Sequence, residues 1–63
     1  MNIEELIQRA AAGDAKAQSV LGECYYYGIG VEQNHEEAIK WYRLAAEQGE
    51  EDAKEALARL QDE

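Results

Sequence analysis

The side chains that could do chemistry in this chain are few and stand far apart along the sequence. His35 is the only histidine and Cys24 is the only cysteine, and a glycine-containing segment separates them. A metal site or a nucleophile–base pair needs several such groups at defined spacing. We therefore predict that His35 is a solvated residue at a helix start and that Cys24 is a small buried core residue.

The acidic clusters and the glycine pair also indicate structure rather than chemistry. Residues 36–37 and 50–52 are consecutive acids at predicted helix starts, where negative charge suits the helix dipole. A calcium loop instead needs alternating ligands around a central glycine. Gly28 and Gly30 lack the preceding strand and the third glycine of a dinucleotide-binding loop. We predict no catalytic residue, no metal ligand and no cofactor, and hence that the chain is not an enzyme.

Charge and length narrow the partners. The chain has 63 residues, with 14 acidic against 6 basic side chains and a formal net charge of −8. Nucleic acid and anionic membranes both select basic surfaces, so neither is expected as a partner. No apolar run is long enough to span a membrane and no signal peptide is visible, so a soluble protein of unassigned compartment is expected. A single domain this small, without a disulfide, depends on helix packing or on association with a second copy.

Helix-capping and helix-terminating residues along the chain predict four helices. Asn2 and Asn34 each precede a glutamate by three residues, which is the capping-box spacing, and Asp14 is a third N-cap. Gly13 and Gly49 are typical helix stops. The predicted helices run from Ile3 to just before Gly13, over 15–27, from Asn34 to about residue 48, and over 51–61. The outer helices have a single apolar stripe and the third helix a wide one, which is typical of a stack with sandwiched inner elements.

The spacing of several residues reveals an internal repeat. Gly13 and Gly49 are 36 residues apart, and the same step carries Ala17 to Ala53 and Leu21 to Leu57. A period in the mid-thirties is typical of a solenoid built from helix pairs.

The residues of the middle of the chain resemble the Sel1-like repeat, a relative of the tetratricopeptide repeat. The matching positions are Ala11, Gly13, Ala17, Leu21, Gly22, Tyr25, Gly28, Gly30, Val31, Ala38, Trp41, Ala45, Ala46 and Gly49. One position departs from the family pattern, since Asn34 stands where an aspartate is usual. Asparagine caps helices nearly as well as aspartate, so this departure changes little.

The resemblance implies an all-α fold of four antiparallel helices, stacked as a short right-handed solenoid. The expected organisation is an N-terminal capping helix over 1–13, one full repeat over 14–49 and a C-terminal capping helix over 50–63. In the last segment, Ala58 takes the place of Gly22 and Gln61 that of Tyr25. We interpret both changes as termination of the stack.

The resemblance also implies an adaptor or scaffold without catalytic residues, in which the first helix of each pair lines the concave side. On the second helix, one stripe points away from the apolar face and is our candidate protein-contact surface: Lys16, Ser19, Glu23, Tyr26 and Tyr27. For the two tyrosines, shielding of the helix end is an equal alternative.

Three functional hypotheses follow. The first is a helical-repeat scaffold or protein–protein interaction module, engineered or excised as a minimal unit, that binds a protein or peptide. The second is a natural small bacterial adaptor that self-associates as a homodimer. The third, a small enzyme or metal-binding protein, is the least favoured.

Overall fold

The computed structural model describes residues 2–61 of the chain and shows four α-helices. They are α1 (Ile3–Ala11), α2 (Ala15–Tyr27), α3 (His35–Glu47) and α4 (Glu51–Gln61). The ends of the predicted capping segments at Met1 and at 62–63, and the side chain of Gln61, lie outside the described residues. Within 2–61 no strand is present, and no helix is long and apolar enough to cross a membrane. The prediction of an all-α fold with four helices is confirmed.

The predicted N-caps form because a short polar side chain can accept a hydrogen bond from the free N–H groups of the first helical turn. The Asn2 side chain accepts bonds from the backbone of residues 4 and 5. Asp14 accepts one from Ala17, and Asn34 accepts one from Glu37, both at 3.1 Å. Each cap lies at the position that the sequence indicated, so helix starts are determined locally.

The connection between α2 and α3 folds back on the end of α2. Gly28 ends that helix in the left-handed conformation with φ 74°, which a residue with a Cβ adopts at a cost. The backbone N–H of Asn34 then donates to the Tyr25 carbonyl at 2.8 Å. Val31 of this loop is half-buried and packs against the core. The loop therefore fixes how α3 returns along α2.

The helix α2 lies at the centre of the fold and runs antiparallel to α3. Near its start, the Gln48 side chain donates to Gln18 at 3.0 Å, and about one helical turn later Gly22 lies against the ring of Tyr42. Because the partner number falls as the α2 number rises, the two helices run in opposite directions. Beyond α3 comes α4, and α1 packs on the other side of α2.

The core divides into two clusters of buried residues that share partners along α2. The first cluster lies between α1 and α2 and comprises Leu6, Ala10, Ala17, Leu21 and Cys24. The second cluster lies between α3 and α4 and comprises Ala38, Tyr42, Ala45, Ala53 and Ala56. Tyr25 packs against both. The small side chains allow close helix approach, and the arrangement is that of a short helical-repeat solenoid.

Candidate protein-contact surfaces

The first predicted contact residue, Lys16, lies in an exposed ion pair near the start of α2. Its Nζ is 3.1 Å from Asp52 Oδ2, and both side chains are well exposed to solvent. The hydrogen bond and the charge of Asp52 raise the pKa of Lys16, so the ammonium stays charged at neutral pH. The two residues are 36 positions apart, so the ion pair joins equivalent places in successive units.

The expectation that Ser19 lies on an exposed stripe is wrong, because its exposed fraction is 6%. Ser19 precedes Gly22 by three residues, so both lie on the same face of α2. Gly22 is in contact with Tyr42 of α3, and that face is consequently covered. The helical pattern of α2 alone suggested a polar outer stripe, whereas α3 covers part of it.

Tyr26 and Tyr27 form an aromatic group with His35 at the end of α2. The rings of Tyr26 and His35 stack with centroids 4.4 Å apart and planes 13° from parallel. Tyr27 meets Tyr26 edge to face at 4.9 Å. Tyr26 is half-buried, whereas Tyr27 is 59% exposed. Glu23, one turn earlier on α2, is also exposed. The structure thus fixes the Tyr26 ring and leaves that of Tyr27 open to solvent.

These tyrosines line a shallow cleft between the end of α2 and α4, which we call the aromatic cleft. It has a volume of about 110 Å³ and is lined by Tyr26, Tyr27, Tyr42, Ala56, Arg59 and Leu60. Tyr42 is buried at its floor, and this burial, reinforced by the charge of Glu23, raises the pKa of Tyr42 to about 12. The hydroxyl of Tyr42 therefore stays protonated at neutral pH. Exposed Arg59 supplies a cation at the margin.

A second, larger concavity lies between α1 and the first half of α2, and we call it the N-terminal groove. Its volume is about 330 Å³. Buried or half-buried Leu6, Ala17 and Val20 contribute apolar surface, while Glu5, Arg9 and Lys16 are exposed and charged. Arg9 and Glu5 pair across one helical turn at 3.0 Å. The groove is thus apolar within and charged at its margin.

The five predicted contact residues do not form one surface. Lys16 lines the N-terminal groove, whereas Tyr26 and Tyr27 line the aromatic cleft, ten residues or about 15 Å further along the helix. Sequence reasoning missed Arg59 and Leu60 in the cleft and Leu6 and Arg9 in the groove. The signal that could have found the groove was the 36-residue offset, because it relates residues of α1 to the wide apolar face of α3.

Cys24 and His35, the two residues that could do chemistry, lie in different parts of the fold. Cys24 is 8% exposed within the first cluster, which confirms the prediction of a buried core residue, and burial raises the pKa of its thiol. His35 is the exposed first residue of α3, also as predicted, and it stacks on Tyr26. Among residues 2–61, no group of three or more histidine, cysteine or acidic side chains could hold a metal ion.

Comparison with known proteins agrees with this helical architecture. The chain is 43% identical over 51 residues to DAP3-binding cell death enhancer 1 of Rattus norvegicus, which covers 81% of this chain and 10% of the relative. It is 42% identical over 59 residues to human Wolframin, covering 89% of this chain and 7% of that protein. It is 42% identical over 45 residues to secretory immunoglobulin A-binding protein EsiB of Escherichia coli O6:H1, covering 71% of this chain and 9% of that protein.

These relatives are much longer proteins, and the chain spans a tenth or less of their length. No solved structure matches the chain significantly. The model of the Sel1 repeat family matches residues 15–50, which comprise α2, the following loop and α3. That match contains the glycines of the loop, the Gly22–Tyr42 contact and the three α3 residues of the second cluster. The chain therefore belongs to the Sel1 repeat family, a family of helical-repeat protein-interaction modules.

Proposed function

We propose that this chain is a non-enzymatic binding module whose contact surface is the aromatic cleft. The observation that carries the proposal is the 59% exposure of Tyr27, held edge to face against Tyr26. Tyrosine and arginine dominate the energetics of protein interfaces, since each offers a large contact area together with a polar group. A tyrosine ring has few rotatable bonds, so ordering it on binding costs little entropy.

The cleft indicates the chemistry of its partner. Its volume of about 110 Å³ accommodates one apolar or aromatic side chain, and Leu60 and Ala56 supply apolar walls. The surrounding chain has a net charge of −8, which favours association with a basic segment. The partner that fits is a peptide or protein segment with an apolar anchor residue and basic neighbours. Two of the relatives are named for binding other proteins, which supports a binding role.

A displayed random-peptide library would test this proposal. Peptides selected on the wild-type chain would be titrated against Tyr27→Ala and against the control Leu44→Ala, which alters an exposed apolar residue of α3 outside the cleft. We expect Tyr27→Ala to weaken binding about tenfold or more, because it removes a central aromatic contact. Leu44→Ala should bind as the wild type does.

Two outcomes would contradict the aromatic cleft as the contact surface. One is the selection of no peptide that binds in solution. The other is an equal loss of affinity in both variants, because that would place binding elsewhere or indicate a general loss of folding. Circular dichroism of each variant separates the last two causes.

The second candidate function is a self-associating adaptor. The observation that favours it is that Leu57 and Leu60 are only half-buried on α4, although they are large apolar residues of a short helix. Under both candidates, 14–49 would be the full repeat, with the half-repeats 1–13 and 50–63 on either side. The first candidate would be an engineered or excised minimal unit, and the second a natural small bacterial adaptor.

A further inference from the structure

The N-terminal groove is equivalent to a groove that is filled inside the molecule. Moving the five residues of the second cluster back by 36 positions gives five residues that all line the N-terminal groove: Asn2, Leu6, Arg9, Ala17 and Val20. In the second cluster, α2 covers these positions and sets Gly22 against the Tyr42 ring. The N-terminal groove therefore has the framework of a seat for a helix of the α2 type.

At the other end of the chain, α4 is the helix that corresponds to α2, because the same offset carries 15–25 onto 51–61. Its apolar side is incompletely covered. Leu57 is half-buried, whereas its equivalent in α2, Leu21, has an exposed fraction of 0%. Leu60 is also half-buried, but it lines the aromatic cleft. Among residues 2–61, α4 is thus incompletely covered and no helix occupies the N-terminal groove.

We propose that copies of this chain bind one another head to tail, with α4 of one copy seated in the N-terminal groove of the next. In this arrangement, α1 of the next copy covers α4 as α3 covers α2. The helix order then continues without interruption from copy to copy, and the 36-residue spacing is kept across the contact.

Side-chain size supports this pairing. Inside the molecule, a Cβ on Gly22 would come within 2.8 Å of the Tyr42 ring, so only glycine fits. The equivalent pair at the proposed contact is Ala58 against Leu6 of the next copy. Ala58 is exposed, and its added methyl group meets a leucine, which lacks the ring atoms that Gly22 contacts. The larger residue on one side is matched by a smaller one on the other.

Charge also supports the pairing, through two equivalent positions. The antiparallel register that sets Gly22 against Tyr42 places Ser19 opposite Ala45, one turn away. The equivalent of Ser19 in α4 is Glu55, and the equivalent of Ala45 in α1 is Arg9. The proposed contact therefore places Glu55 opposite Arg9 of the next copy. By the same shift, the equivalent of the internal Lys16–Asp52 ion pair joins Asp52 to Lys16 of the next copy. Both new pairs join opposite charges, which sets register and orientation.

The contact joins two different surfaces, so it does not close into a dimer. Such a heterologous contact produces open chains that grow with concentration. A charge of −8 on each copy opposes assembly at low ionic strength. At about 0.15 M salt the screening length is about 8 Å, so long-range repulsion falls while adjacent opposite charges still interact.

Sedimentation of charge-reversal variants across a concentration series up to millimolar would test the proposal. Arg9→Glu and Glu55→Arg each place like charges opposite one another at every contact. Mixing the two variants restores opposite charges at mixed contacts, and so does combining both changes in one chain. Arg43→Glu is the matched control, since it changes the net charge as Arg9→Glu does at an exposed position of α3 outside the groove.

We expect the wild type and Arg43→Glu to show an average mass that rises with concentration and does not level off at the dimer. Each single variant should associate at least about tenfold more weakly than the wild type, because like charges face one another. The equimolar mixture and the double variant should regain wild-type association. Circular dichroism at low concentration should show equal helix content in all of them.

A wild type that stays monomeric throughout the series would overturn the proposal. A mass that levels off at the dimer would overturn the head-to-tail geometry, as would a mixture of Arg9→Glu and Glu55→Arg that associates no better than either variant alone. The aromatic cleft is tested separately, because a monomeric Arg9→Glu chain keeps Tyr27 and should still bind the selected peptides.

Discussion

The filled groove that holds α2 and the empty N-terminal groove are two versions of one structural unit. In the filled groove, Ala38 and Ala45 are fully buried. At the equivalent places in the empty groove, exposed Asn2 and Arg9 take over. Asn2 caps α1, and Arg9 pairs with Glu5. The backbone framework is thus kept while the residues facing the missing helix become polar.

This difference shows which positions of the groove stay apolar when no helix of residues 2–61 occupies it. Ala17 and Ala53 are both buried, because each packs against the preceding helix, which is α1 for Ala17 and α3 for Ala53. Leu6 takes the place of Tyr42 and keeps the centre of the empty groove apolar. The edge is solvated while the centre remains able to receive a helix. The following predictions compare the two regions, beginning with the largest expected effect.

Leu21→Ala should be the most destabilising of the changes compared here. Leu21 is fully buried in the first cluster, and such truncations cost about 2–5 kcal/mol. A chain of this size has a total stability of only about 3–9 kcal/mol, so the variant should lose a large part of its stability. The equivalent change Leu57→Ala should cost about 1 kcal/mol, since Leu57 is half-buried. Urea denaturation at low protein concentration measures both losses of stability. Equal losses would contradict the expectation that these equivalent positions differ in how well they are covered.

Gly22→Ala should destabilise the chain by about 1 kcal/mol, because overpacking at Tyr42 exceeds the helix propensity that alanine gains. In a Tyr42→Leu background the same change should become stabilising. That background reproduces the Ala58–Leu6 combination proposed for the contact between copies. A double-mutant cycle of unfolding free energies measures the coupling, and a cycle with no coupling would show that the ring does not require glycine.

Alkaline pH should weaken the filled groove through Tyr42. The pKa of Tyr42 is raised from 10.0 to about 12 in the folded chain, so between these values the unfolded chain loses the phenol proton while the folded chain retains it. The stability contributed by Tyr42 is complete below pH 10 and is lost as pH rises towards 12. At pH 11 the loss is about 1 kcal/mol. Unfolding curves from pH 9 to 11.5 test this against Tyr42→Phe, which should lack this component of the decline.

The smallest effect should come from the exposed ion pair that links the two units. Lys16 and Asp52 are both largely solvated, and exposed pairs of this kind contribute little to stability. Lys16→Ala and Asp52→Ala should leave the urea midpoint unchanged within error. A marked loss in either variant would mean that the pair holds α4 in place.

Helix boundaries were predictable from sequence because their causes are local. An asparagine or aspartate at a cap and a glycine at a stop act through the backbone of the adjacent turn, and α2 begins after Asp14 and ends at Gly28 over the predicted 15–27. Burial of Ser19 was not predictable from its own helix. It follows from the contact of Gly22 with Tyr42, which are 20 positions apart in sequence and meet only after α3 has folded back. For the same reason, the position of Arg59 beside the tyrosines of the cleft had no signal in any single helix.

By itself, the sequence determined the repeat, the helices and the residues available for the core. Helix caps and glycine stops act within one turn of chain, and the 36-residue period can be read directly from the order of the residues. Tertiary structure alone decided which of those residues became surface. It buried Ser19 and placed Lys16 and Tyr27 on separate concavities. The physical reason is that the exposure of a helix face depends on which neighbouring helix covers it.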